Sequence, residues 1–339
     1  MSRMNLDEIA RLAGVSRATA SRVLNNRPHV RQELRERVKR VIEETGYQPH
    51  PAARSLAFQR SGIIGLVLPR NTESFFADPY FPSLIQAIAY ECNENDYVLS
   101  LFLLQTKEDE DKLYPRLSQK GLLDGLIVQV GEFGDCLVPP LAEDGDIPFV
   151  VAGRPMTEVD VNYVDVDNVA GAYNAVTHLI QMDRKRVATI TGPLNTAAGT
   201  DRKRGYERAL KAHGVDLDEA LIAFGDFTGI SSYYAMKRLL KHRPDAVFVA
   251  SDSMALEAMR AIREAGLSIP EDIAIVGYDD LPPATRANPP LTTVRQPIHR
   301  CGIALVDVLL DVIENGQEHT RQVVYDTELI VRSSCGAYL

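Results

Sequence analysis

The sequence predicts two architectures in one chain: an N-terminal all-α helix-turn-helix headpiece, then an α/β core of two doubly wound parallel-sheet lobes. Three observations carry this. Residues 1–60 hold 12 Lys and Arg against 6 Asp and Glu, a net +6, whereas the whole 339-residue chain is −9, which leaves −15 on the remaining 279 residues. Two short amphipathic segments flank a glycine turn near the N-terminus. Beyond residue 60, short apolar runs alternate with amphipathic stretches, and the pattern starts again halfway along.

The first helix follows Asn5, which caps it while Glu8, three residues on, completes a capping box. Gly14 suits the positive φ of a sharp turn, and Ser16 caps the second helix. Ala20, Val23 and Leu24 then pack on Leu6, Ile9 and Ala13, leaving Arg17, Ala18, Ser21 and Arg22 outward. Arg22 suits the O6 and N7 edge of guanine, a contact worth about 1–3 kcal/mol of discrimination. Arg17 reads a base in the same way or clamps a phosphate. Ala18 touches a thymine methyl or makes room, and Thr19, Ser21 and Asn25 hold phosphates. A basic head on an acidic body is the asymmetry expected when one end meets double-stranded DNA.

A third helix is predicted over Val30–Thr45, with Leu34, Val38, Val41 and Ile42 on its apolar stripe and Gly46 beyond its end. Pro49 and Pro51 stop it from continuing. Pro51 to Ala57 then forms either a plain linker or a short hinge helix that orders on DNA.

In the body, strands are expected at Ile63–Leu68, Val98–Leu103, Leu126–Val130 and Phe149–Val151, all read as buried parallel strands. Helices fall between them at Pro82–Asn95, Asp109–Lys120 and Leu137–Asp144. The second block has strands at Arg186–Thr191, Ala220–Phe224, Ala246–Ala250 and Ile273–Gly277. Its helices are Val169–Met182, Thr200–His213, Ser231–His242 and Met254–Ala265. Pro297–Asn315 is a further apolar helix, for the core or for a subunit interface. No run approaches the length of a membrane span and no signal sequence is evident, so a soluble, cytoplasmic protein is expected, with no membrane partner. Cys92, Cys136, Cys301 and Cys335 are scattered, which argues against disulfides and metal sites. Metalloprotease, nucleophile-elbow and phosphate-loop motifs are missing, so neither an enzyme nor a cofactor is expected.

The run from Ile9 to Asn26, then Gly46 to Pro49, Ala53 to Leu56 and Gly62 to Val67, resembles the lactose repressor/galactose repressor family, in family order. The resemblance covers the whole chain and implies a periplasmic-binding-protein-like core. It implies that Leu56 wedges into the minor groove at the operator centre, with Ala53 and Arg54 beside it. His50 stands where many relatives carry Asn. For a small-molecule effector it points to Tyr80 and Phe81 as a stacking pair, although ordinary packing of a helix start explains them equally well. It further points to Arg202, Ser251, Asp252, Asp279 and Gln296, and more weakly to Arg154. A guanidinium offers a fork of donors and an ionised carboxylate accepts from two hydroxyls. Helix capping is the competing reading of Asp252, and Asp280 is expected to bond backbone.

The expectation is therefore a transcriptional regulator, a repressor, working as a homodimer on a pseudo-palindromic operator with a central CG step. Its headpiece spans 1–48, its hinge 49–60 and its core 61–339, divided into lobes of about 61–162 plus 296–323 and 163–295 plus 324–339. The effector favoured by the resemblance is a sugar that closes the lobes and changes the hinge spacing. Alternatives are the same regulator with a purine or nucleoside corepressor, or a cytoplasmic solute-binding receptor.

Overall fold

The computed structural model describes residues 4–24, 30–47, 60–68, 78–104, 107–117, 121–130, 137–145, 147–316 and 319–337. Asn25, His50, Ala53, Arg54 and Leu56, and with them the hinge, lie outside the described residues. The chain separates into two compact units. The first runs to Ile63 and takes in the short stretch ending at Asp124. That association has a cause: the Asp124 carboxylate accepts from the Ser61 backbone (2.6 Å), the Ser61 hydroxyl (3.0 Å) and the Gly62 backbone (2.8 Å).

In the headpiece, α1 (Leu6–Ala13), α2 (Arg17–Leu24) and α3 (Gln32–Thr45) follow the expected order. The capping box forms, with Glu8 N–H donating to Asn5 Oδ1 at 3.0 Å and Asn5 N–H to Glu8 Oε2 at 2.9 Å. Gly14 takes φ 63° and ends α1 in the left-handed region. Ile9, Ala13, Val23 and Val38 make the small core, with Val41 and Ile42 packed on it. Such a core is thin, and a polar tie supplements it: Arg37 on α3 donates to the Ala13 carbonyl at 2.6 Å, satisfying the end of α1.

The body holds two six-stranded sheets. The first uses β1 (Ile63–Leu68), β2 (Val98–Leu103), β3 (Gly125–Gln129), β4 (Phe149–Ala152), β5 (Tyr163–Val166) and β11 (Gln322–Tyr325). Their order is β11-β5-β4-β3-β1-β2. The second uses β6 (Val187–Thr191), β7 (Ile222–Phe224), β8 (Ala246–Val249), β9 (Ala274–Asp279), β10 (Thr292–Arg295) and β12 (Glu328–Ile330), ordered β12-β10-β9-β8-β6-β7. β12 pairs antiparallel to β10, while β6, β7, β8, β9 and β10 pair in parallel. The chain crosses between lobes after β5, after β10 and after β11. The first lobe therefore extends through Val166 and includes all of Gln322–Tyr325, past the expected limits of 162 and 323. The switch comes at the strand ends, because only there is the backbone free of ladder bonds.

Around the first sheet, α4 (Tyr80–Glu94) and α12 (Ile298–Asn315) set Leu84, Ile88, Leu305 and Leu309 against Leu66, Ile127 and Val150. The last helix thus packs into the core of its own lobe. Gly302 permits this, since a Cβ there would stand 2.5 Å from the Cβ of Ala87. The remaining helices of this lobe are α5 (Lys107–Leu117) and α6 (Val138–Asp144). β2 is not the buried strand expected: it is a sheet edge, with Val98, Leu101 and Leu103 exposed.

The second sheet is covered on both faces, as a parallel sheet requires. On one side α7 (Asn168–Gln181) and α8 (Ala197–Ala212) bring Ala175, Leu179 and Tyr206 to Val187, Phe248 and Val276. On the other, α9 (Gly229–Leu239) and α10 (Asp252–Glu264) bring Met236, Leu239, Ala258 and Ile262 to Ile190, Val247 and Ile275. The short α11 (Pro282–Arg286) follows β9. Among the described residues, no helix is long and apolar enough to cross a membrane.

Candidate functional site

The exposed face of α2 carries Arg17, Ala18 and Arg22, with Thr19 and Ser21 half-buried beside them. Ser16 performs its capping role: Thr19 N–H donates to Ser16 Oγ at 3.1 Å, and the two hydroxyls lie 2.9 Å apart. Arg17 Nε rests 3.5 Å from Asp7 Oδ1, with both side chains mostly exposed. An open pair of this kind is weak and leaves the guanidinium free to turn toward a phosphate or base.

A second cluster sits at the carboxyl ends of the body's strands, where doubly wound sheets bind ligands. Its centre is Arg202 on α8, only 5 % exposed. The helix can sit this deep because Gly205 lies against the Val169 carbonyl, which a Cβ would approach to 2.4 Å. Arg202 Nε donates to Asn168 Oδ1 at 2.8 Å and Nη1 to the Ala250 carbonyl at 2.5 Å. Nη1 lies 3.7 Å from Asp279 Oδ1, and the guanidinium carbon stands 3.7 Å above the Tyr278 ring centroid. Of five guanidinium donors two are used in these bonds, so a fork remains for a ligand.

Asp279 ends β9 with φ 118° and Asp280 follows with φ 60°. Two successive non-glycine residues in this region store strain of about 1–3 kcal/mol each, so the surroundings must hold them. The Asp280 side chain does not bond backbone as expected: it accepts from Arg295 Nε (2.7 Å) and Arg332 Nη2 (2.5 Å), two cations that a buried carboxylate can serve at once. Asp252, the first residue of α10, accepts from Leu281 N–H (2.8 Å) and Thr293 Oγ1 (2.6 Å), pinning the other side of the turn. The capping of α10 falls to Ser251, whose Oγ accepts from Met254 N–H at 3.3 Å. Ser251 and Asp252 thus support the site from behind, while Asp279 and Gln296 face each other within it, Gln296 Nε2 donating to Asp279 Oδ1 at 2.5 Å.

Burial governs the electrostatics. It pushes the Asp279 carboxyl well above the usual carboxylate range; Arg202 opposes the shift, Asp252 and Asp78 add to it, and Gln296 lowers it. Burial lifts Asp252 to about 7, against the bonds from Thr293 and Leu281. Asp78, just before α4, and Asp165, on β5, are likewise raised by burial. Asp165 accepts from Asn168 Nδ2 at 3.2 Å, so the chain Asp165–Asn168–Arg202–Asp279–Gln296 is continuous.

Tyr80 and Phe81 pack edge to face, 5.2 Å between centroids, half-buried on the first lobe's core. The Tyr80 phenol is raised by burial and further by Cys301, Asp279 and Asp165, so it lies within the field of this cluster. Arg154 instead pairs with Asp201 on α8, Nη2 to Oδ2 at 2.5 Å. Sequence reasoning missed Asp78, Asp165, Asn168 and Tyr278. Tyr278 stood inside the Val276 to Asp280 motif, and Asp165 and Asn168 formed a polar knot before a helix. Gln129 was missed too: it ends β3 with its Oε1 buried and without a hydrogen-bond partner among the described residues, its Nε2 donating to the carbonyls of Val130 and Ala152. Among the described residues no group of three His, Cys, Asp or Glu is placed to hold a metal.

Comparison with known proteins adds two family matches. Residues 5–50 match "Bacterial regulatory proteins, lacI family" and residues 176–335 match "Periplasmic binding protein-like domain". The chain is 38 % identical over 336 residues to the HTH-type transcriptional regulator CelR of Thermobifida fusca, covering 98 % of each. Among solved structures, a "transcriptional regulator CelR-cellobiose complex" is similar with TM-score 0.77 and 37 % identity, over 98 % of this chain and 100 % of that one. A lac repressor dimer bound to operator and the anti-inducer ONPF is similar with TM-score 0.84 and 26 % identity, over 98 % and 99 %.

Proposed function

Because the chain belongs to the lacI family of bacterial regulatory proteins, whose members regulate transcription by binding DNA under small-molecule control, we propose that it is a repressor whose effector is an uncharged sugar held between the lobes. The observation that carries this is the Arg202–Asp279 pair seated on Tyr278. One guanidinium faces Asp279, with Asp78 and Asp165 also within its field, and burial already works against the ionised form of all three carboxyls. A phosphate or carboxylate ligand would add another negative charge to that group. Hydroxyls serve it better, because each can donate to a carboxylate and accept from the guanidinium. The Tyr80 and Phe81 rings add apolar faces of the kind a pyranose covers. The cellobiose complex of a similar regulator supports a neutral oligosaccharide.

Arg22 serves as the operator reader and Arg17 as a phosphate clamp beside it, on a pseudo-palindromic duplex with a central CG step. A homodimer fits the body's surface. Phe224, Ile230 and Tyr234 are exposed together on β7 and α9, at 57, 74 and 58 %, and Val98, Leu101 and Leu103 on the β2 edge. Selection on random duplexes supplies the operator. Anisotropy titration of that operator, at fixed salt, with cellobiose, other neutral disaccharides, a sugar phosphate and a purine base then tests the effector. A change in operator affinity with a neutral sugar supports the proposal. A response to the phosphate or the purine alone overturns it.

A further inference from the structure

Arg154 leaves the end of β4 in the first lobe, whereas Asp201 belongs to α8 in the second. Their 2.5 Å ion pair therefore joins the two lobes. Each end is anchored. The Arg154 backbone N–H donates to Asp165 Oδ2 at 3.2 Å, and Asp201 immediately precedes Arg202 on the same helix turn.

We infer that Arg154–Asp201 is a latch that biases the lobes toward closure, and that Arg154 acts on the effector through this latch. The inference rests on the cleft being the effector site. The apparent affinity of a ligand held by both lobes is its intrinsic affinity multiplied by the fraction of molecules with the lobes together, so a tie between the lobes raises it. The Arg154 side chain is 41 % exposed and that of Asp201 14 %, so water and salt reach the pair. A tie of that kind shifts an equilibrium about two- to fivefold. Such a bias can be overcome, as a switch requires. Because Asp201 and Arg202 share a helical turn, motion of the latch is passed to the ligand-facing guanidinium.

The test uses hydrogen exchange on the full-length protein without ligand, comparing wild type with Arg154→Gln, Asp201→Asn, the double variant and the charge swap R154D/D201R. Each single variant is expected to raise exchange about two- to fivefold both at 153–156 and at 197–203. The double variant should do no more than either single one, and the swap should restore protection. A change confined to the substituted lobe overturns the latch, as does additivity of the two single effects. The companion reading is calorimetric titration with the sugar that shifts operator affinity. Equal, non-additive loss in both single variants supports the latch. An Arg154→Gln loss that persists in the Asp201→Asn background makes Arg154 a direct ligand contact and overturns it. Exchange linked across the lobes in a protein whose operator affinity no sugar alters would sink the effector reading and leave the latch standing.

Discussion

Arg202 lies over the face of Tyr278, its guanidinium carbon 3.7 Å from the ring centroid, with both residues buried. The ring fixes the plane of the guanidinium, and Asn168 and the Ala250 carbonyl fix its rotation in that plane. The donors that remain therefore have a set direction before any ligand arrives, which lowers the ordering cost of binding.

That orientation predicts the effect of Arg202→Lys. Lysine keeps the charge beside Asp279 but loses the planar fork and the stacking. Effector affinity should fall by about 2 kcal/mol or more, since two charge-assisted bonds are lost. Operator binding without effector should stay near wild type. Calorimetry for the sugar and anisotropy for the operator measure the two, and undiminished sugar binding by the variant rules out the role assigned to the fork.

The headpiece and the βα alternation were legible because their determinants are local. Asn5, Gly14 and Ser16 each act within four residues, and apolar runs such as Ile63–Leu68 were read to their true ends. β5 was not, because Tyr163–Val166 is four residues long and alternates in burial. β12 is shorter still, and pairs antiparallel at an edge. In the site, Arg202 and Asp279 were named from family motifs. Asp78 and Asp165 were passed over because a carboxylate in a polar stretch reads as a surface group. Their burial depends on residues distant in the chain, and no sequence window contains that. The same holds for Arg154, whose partner Asp201 is 47 residues away.

The buried carboxyls predict an inverted pH response. Asp252 has a folded-state pKa of about 7, above its ordinary 3.8. A raised pKa contributes stability that is complete below the unfolded value and is lost as pH rises through the folded one. The body should thus lose stability from this group between about pH 4 and 7, by an amount on the order of a few kcal/mol. Asp252→Asn keeps a neutral group with an oxygen for Leu281 N–H and removes the titration. Thermal melts across this range should show wild type falling relative to the variant as pH rises. Parallel curves would mean that Asp252 does not titrate there.

Ile230 offers the plainest test of the dimer. It is 74 % exposed on α9, beside Tyr234 and near the β7 edge. An exposed side chain adds little to the fold of its own lobe, so Ile230→Asp should still fold and lose only the stability that dimerisation adds to wild type. In a dimer sealed by this face it would bury a charge opposite an apolar surface, at a cost of several kcal/mol. Sedimentation should show wild-type dimers and variant monomers at micromolar concentration. A variant that remains dimeric would place the interface elsewhere.

The last prediction separates the two arginines of α2. Arg22 stands exposed in the last turn of the helix, on the face opposite Ala20 and Val23, which are buried. Arg17 stands at the first turn, resting near Asp7. A base reader and a phosphate clamp differ in what their removal does. Losing a bidentate guanine contact costs about 1–3 kcal/mol on the preferred site and little on other sequences. Losing a phosphate contact weakens all duplexes alike and lowers the salt slope by about one. Arg22→Ala should therefore flatten the preference at one symmetric position of the selected operator, with the salt slope nearly kept. Arg17→Ala should lower affinity evenly and reduce the slope. Titrations of matched and single-substituted operators at three salt concentrations distinguish them. If Arg22→Ala weakens every duplex equally, the reading surface of α2 lies elsewhere on its exposed face.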